Sequence, residues 1–302
     1  MDNLLITSHG IGDAILGINA GILLKNKFPT QHTDVLCCVR DSVFEPLNYL
    51  FGDLISLFQS PDKELWGEND GQVIRRQEWL KSFPHKNKFC VWPDLLFRAA
   101  NLSFPFDIMG LSAQVIKGHR SLTLKRTPVK KLIYVGTNTS TPEYFYNQTP
   151  ELLKALACVL PDHTIYFNNL TEWAGHKLNN GDFSNMPSNV RVAENEDFIS
   201  SLKVLKESCY CVCVDNGISH IAYQLGVPRV VISNRLTSAG SPWISRWYED
   251  LNDCITYEDA SPSKLSGLVK TNIEIPQTTL ILKQIIITNP SVDWSKVLGF
   301  KY

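Results

Sequence analysis

Apolar positions along this chain alternate between two rhythms. Short runs at 4–7, 35–39 and 89–92 are apolar nearly throughout and read as buried strands. Between the first two, Ile15, Leu16, Ile18 and Ile22 recur at helical spacing and stop before Phe28-Pro29, a helix end. Strand, helix and strand at such short spacing predict parallel pairing and an α/β layer. Residues 60–88 are polar and poorly periodic, carry Trp66 and Trp79, and read as loops with one surface helix. The stretch "LKRTPVKK" at 124–131 is basic, contains a proline and reads as a linker. Beyond it the pattern restarts, with strands at 132–135, 164–167 and 190–192 and helices at 151–160 and 198–206. An alternating run then ends at Asp215-Asn216-Gly217, and after a short amphipathic segment Gly226-Val227-Pro228 leads into another apolar run. Residues 277–302 hold an apolar helical stretch, "TTLILKQIIIT", then Asn289-Pro290 and an aromatic tail. The pattern predicts two doubly wound α/β domains, 1–126 and 127–302, with the terminal segment free to pack back on the first.

Composition fits that picture and removes some functions. The chain has 302 residues, 44% hydrophobic and 20% charged, a globular balance with room for two domains. With 29 basic and 30 acidic side chains the net charge is −1, which gives no electrostatic footprint for nucleic acid. No run approaches the roughly 18 apolar residues of a membrane span. The start, "MDNLLITSHG", shows no basic segment or cleavage site of a secretory signal, so a cytoplasmic protein is expected. Among the 8 cysteines no C-x-x-C pair or Cys/His finger spacing occurs. Cys209, Cys211 and Cys213 alternate as one face of a strand, so they read as reduced packing residues and no metal is expected.

In sheets of this kind ligands bind beyond the carboxyl ends of the strands, which singles out two loops. One is Asp215-Asn216-Gly217, where a strand passes into a helix. A helix N-terminus offers unpaired N–H groups to an anion, so Asn216, Gly217 and Ile218 are candidates to hold a phosphate, with Asp215 or Ser219 as the cap. The same residues also make an ordinary capped turn, and the physics alone leaves both readings open. The other loop is "SHGIGDAILG" at 8–17. It has Gly10-x-Gly12 but Ile15 where a dinucleotide fingerprint needs a third glycine. Asp13 would repel a diphosphate there, so a Rossmann dehydrogenase is disfavoured. Asp13 is either an acid favoured by the helix dipole or a general base aimed at a substrate.

Taken together, the two loops resemble glycosyltransferase family 9, the bacterial ADP-heptose lipopolysaccharide heptosyltransferases. Gly12-Asp13 with Phe28-Pro29 is similar to the family's opening. Asp215, Gly217, Ser219, His220, Ala222, Leu225, Gly226 and Pro228 are similar to its second, more specific motif. "GTNTST" at 136–141, followed by "TPELLKAL", resembles a weakened form of its central motif.

The resemblance implies an α/β, GT-B fold of two Rossmann-like domains facing across a cleft, and an inverting, metal-independent sugar transfer without a cofactor. It implies that Asp13 deprotonates the acceptor hydroxyl, and that Asn216, Gly217 and Ile218 hold the donor diphosphate with Thr139, Ser140 and Arg235. It implies Glu172 at the nucleotide, and Gly12, Asp215, Ser219 and His220 as support for the loops. The implied partners are a nucleotide-sugar donor, ADP-sugar before UDP- or GDP-sugar, and a glycan or lipid-linked glycan acceptor, which leaves a peripheral contact with the inner membrane face open. The chain departs from the family pattern in having nothing basic between Lys131 and Lys154 to neutralise the leaving diphosphate. That departure keeps a non-catalytic nucleotide- or sugar-binding relative as the alternative.

Overall fold

A computed structural model describes residues 3–7, 11–59, 82–85, 87–90, 129–139, 146–173, 176–178, 181–233, 254–256 and 258–274. They form two compact units. The first comprises Met1–Val129, Asn195–Glu207 and Asp215–Pro228; the second Lys130–Glu194, Ser208–Val214 and Arg229–Tyr302.

The first unit is built on β1 (Asn3–Ile6), β2 (Thr33–Cys37), β3 (Ser56–Gln59) and β4 (Asn87–Cys90), all parallel, in the order β3-β2-β1-β4. Helix α1 (Ile11–Lys27) connects β1 to β2 and packs on both, burying Ala14, Ile15, Ile18 and Ile22. The expected loop through Gly10 and Gly12 is shorter than the sequence suggests, because α1 already begins at Ile11. Helix α2 (Asp41–Phe51) and strand β3 were not foreseen from the sequence; α2 buries Val43, Leu47, Leu50 and Phe51, an i, i+4, i+7, i+8 stripe. β1 and β2 are fully buried, including the polar Asn3, Thr33 and Asp34 at their amino ends, while the edge strand β3 is partly exposed.

The second unit holds a parallel sheet of six strands: β5 (Lys130–Gly136), β6 (Thr164–Asn169), β9 (Val190–Glu194), β10 (Ser208–Val214), β11 (Arg229–Ser233) and β12 (Cys254–Thr256). Their order is β12-β11-β10-β5-β6-β9, and a small antiparallel pair, β7 (Glu172–Trp173) and β8 (His176–Lys177), follows β6. Helices α3 (Thr149–Val159) and α6 (Pro262–Glu274) pack together, and Leu152, Leu153, Leu156, Leu265 and Val269 join Ile133, Phe167, Val212 and Val230 in one core. β12 and α6 had no counterpart in the sequence reading, whereas its terminal apolar stretch at 277–302 lies outside the described residues. Two further helices, α4 (Phe198–Glu207) and α5 (Gly217–Gln224), group with the first unit, α4 against α2 and α5 against α1.

Cys211 and Cys213 are fully buried in β10, and the described cysteines form no disulfide. Burial pushes the Cys37 thiol up to about 12, well away from reactivity. Among the described residues no helix is long and apolar enough to cross a membrane, and no group of three or more His, Cys, Asp or Glu side chains could hold a metal ion.

Candidate functional site

The first unit brings the two candidate loops to one place. β1 runs out through Thr7, and Gly12 and Asp13 stand in the first turn of α1. The Asp13 side chain lies outside the described residues, as do Ser140 and Arg235 entirely. α5 opens on Asn216, whose backbone is extended at φ −147° and ψ −178°. Its side-chain oxygen accepts from the Ser219 N–H at 3.2 Å, and the Ser219 hydroxyl donates back to the Asn216 carbonyl at 2.7 Å. The cap is therefore Asn216, not Asp215 or Ser219. The helix starts at Gly217, so only the residue just before it can reach the amide at the third position. Gly217 and Ile218 then supply the first N–H groups of the helix, which have no carbonyl a turn behind them.

Gly217 serves packing rather than an unusual backbone angle. The positive-φ glycines among the described residues are Gly181 and Gly226. A Cβ on Gly217 would come within 2.7 Å of Ile11 Cγ2, and one on Gly12 within 2.9 Å of His220 Cδ2 and Nε2. Glycine at both positions lets the starts of α1 and α5 meet. Ser219 is fully buried beneath this contact, and Asp215, Ile218 and His220 are half-buried. At the far end of α5, Gly226 at φ 63° donates to the Tyr223 carbonyl and turns the chain toward β11. Asn216→Ala is expected to cost about 1 kcal/mol through loss of the cap, seen as a fall of a few degrees in the melting temperature, whereas Asn216→Asp stays near wild type.

The second unit organises the carboxyl ends of β5, β6 and β9. After β5, Thr139 is buried, and the Asn138 amide donates to the Asn168 carbonyl at the end of β6 at 2.5 Å. Thr137 shares a hydrogen bond of 2.9 Å with Thr149, whose hydroxyl is also 2.9 Å from the Tyr146 carbonyl. Tyr146 in turn donates to the Ala260 carbonyl at 2.6 Å, and burial followed by the Glu151 charge holds its hydroxyl above the usual range. Glu172 is exposed on the β7–β8 hairpin. A second acid escaped the sequence reading. Glu194 ends β9 and accepts from the Asn169 amide at 2.9 and 3.2 Å, and its place as the last residue of an alternating run was the available signal.

No family sequence model and no curated protein sequence matches the chain. Solved structures do. The heptosyltransferase WaaC of E. coli, solved with ADP-2-deoxy-2-fluoro heptose, is similar over 90% of this chain and 100% of its own, at 10% identity and a TM-score of 0.57. The ADP-heptose LPS heptosyltransferase II of E. coli is similar over 90% of this chain and 98% of its own, at 14% identity and 0.52. A family 9 glycosyl transferase from Veillonella parvula is similar over 84% of this chain and 85% of its own, at 11% identity and 0.50. The chain has the heptosyltransferase-like fold of the family 9 glycosyltransferases.

Proposed function

We propose that this protein is an inverting glycosyltransferase that moves a heptose-like sugar from a nucleotide-diphosphate donor to a glycan hydroxyl. The observation that carries this reading is the meeting of Gly12 with His220 and of Gly217 with Ile11, which joins the acid-bearing turn of α1 to an anion-ready helix start. On this reading Asp13 takes the acceptor proton as the acceptor oxygen bonds to the anomeric carbon. The bond from that carbon to the diphosphate breaks, and its electron pair leaves with the diphosphate. The growing charge meets the N–H groups at 216–218, with Thr139, Ser140 and Arg235 as further contacts and Glu172 at the nucleotide. Preorganised donors of this kind each contribute roughly 2.7–4 kcal/mol to a transition state. The reading keeps the sequence-derived proposal of an acceptor domain up to 126 and a donor domain from 127, although the turn at 215–218 groups with the first unit, and a mechanism without metal. ADP is the favoured nucleotide because similar folds have been solved with ADP-heptose analogues or ADP.

One observation favours a second reading. The segment between Lys131 and Lys154 contains no basic residue, so a bound diphosphate lacks a cation there, as in a relative that binds without turning over. A thermal-shift comparison of ADP, UDP and GDP at one high, equal concentration tests the donor step that both readings share, and turnover of the matching nucleotide sugar then separates them. A nucleotide present at about 100 times its dissociation constant stabilises by about 2.7 kcal/mol. For a chain of this size that is a rise of roughly 5–10 °C. A rise with ADP is the expected result. A rise with UDP or GDP instead replaces the donor and keeps the chemistry, and no rise with any of the three sinks the transferase reading.

A further inference from the structure

The starts of α1 and α5 interlock reciprocally. α1 offers Gly12 to the His220 ring, and α5 offers Gly217 to the branched Ile11 side chain. Each contact fills the space a Cβ would need: 2.9 Å to two atoms of the imidazole on one side, and 2.7, 2.8 and 2.9 Å to three atoms of Ile11 on the other. Gly217 and His220 are three residues apart, so they share a face of α5, while Ile11 and Gly12 are adjacent in α1. Two such contacts at different points of one turn resist both sliding and rotation of that turn, whereas one contact would act as a pivot. Ile11 adds stiffness, since its branched Cβ restricts χ1. The residue after Gly12 is Asp13, so any rotation of the first turn of α1 carries Asp13 with it.

We propose that His220 is a positioning residue: seated on Gly12, it fixes the first turn of α1 and with it the direction of Asp13. This rests on the reading of Asp13 as the base. It adds that the D-N-G turn and the base form one rigid piece, so a side chain that reaches the base through Gly12 governs the rate.

The test is a double-mutant cycle on the full chain with Gly12→Ala, His220→Ala and the pair, scored by melting temperature and by steady-state kinetics with the nucleotide sugar whose nucleotide raises the melting temperature. His220→Ala is expected to lower kcat about 10–100-fold while KM for the donor stays within about threefold, the pattern of lost orientation rather than lost binding. Gly12→Ala should lower the melting temperature by roughly 3–8 °C, because its methyl meets the ring. In the pair the ring is gone, so the melting temperature should return to that of His220→Ala alone. Additive shifts in melting temperature, or an unchanged kcat in His220→Ala, would overturn the proposal. The two readings fail separately. A non-additive cycle in a chain without turnover retains the interlock and overturns the part of His220 in catalysis together with the transferase reading. An additive cycle in a chain that turns over overturns the interlock alone.

Discussion

Asp13→Asn is expected to lower turnover by about 10²–10⁴-fold and to leave nucleotide affinity unchanged, because general-base catalysis contributes on that scale. In free energy this is roughly 2.7–5.5 kcal/mol of barrier. The amide keeps the size and the hydrogen-bonding reach of the carboxylate but cannot accept the acceptor's proton. Its neighbours in the first turn of α1, Ile11 and Gly12, are engaged by α5 through Gly217 and His220, so the backbone that carries position 13 is held by contacts the substitution does not touch. The loss should therefore fall on kcat and appear equally in kcat/KM, as for an interaction made only in the transition state. A thermal shift with the cognate nucleotide, measured on the same variant, should match wild type. Turnover within threefold of wild type in Asp13→Asn would remove the base from position 13. Loss of both turnover and nucleotide binding would point to a role in holding the donor.

The strands were the most legible part of this chain. β1, β2, β5, β6 and β10 are largely buried runs bounded by polar turns, β9 is a half-exposed edge strand, and the positions read from the sequence fall on all six within two or three residues. α2 was harder to see because Pro46 lies inside it, a residue that ordinarily ends helices, although Val43, Leu47 and Leu50 keep the helical stripe. β12 is short, and α6 carries a polar majority whose few buried positions, Leu265, Ser266 and Val269, give a weak period. At the candidate site the residue types of both motifs were legible and their physical duties were not. Gly217 reads from the sequence as one of three N–H groups facing a phosphate, yet the atom its missing side chain makes room for belongs to Ile11, some 200 positions earlier in the chain. Sequence spacing holds no trace of such a contact. The choice of cap shows the same limit. Asp215, Asn216 and Ser219 are all good capping residues, and only the helix start decides among them.

His85→Leu should destabilise the protein by about 3–5 kcal/mol, the usual result of leaving a buried charge without its partner. Asp34 is 2% exposed and is the second residue of β2, paired with Leu4 on one side and Ser56 on the other, so it cannot swing out to water. One carboxylate oxygen stands 2.6 Å from His85 Nε2 and the other 2.9 Å from His32 Nε2. His85 is itself buried, whereas His32 is largely exposed, so the two contacts are unequal. Removing His32 leaves water able to replace it and should cost no more than about 1 kcal/mol. Removing His85 leaves an oxygen facing an apolar side chain. For a chain of this size the melting temperature should fall by roughly 6–20 °C. Pairing the substitution with Asp34→Leu should restore most of it, since an apolar pair often replaces a buried polar one at little cost. Nucleotide binding by the folded protein should be unchanged, because Asp34 lies near the amino end of β2 while the start of α1 follows the carboxyl end of β1. A fall of less than 2 °C in His85→Leu would mean that the Asp34 carboxylate finds another partner, and a loss of nucleotide binding in the rescued pair would mean that this end of the sheet is coupled to the site.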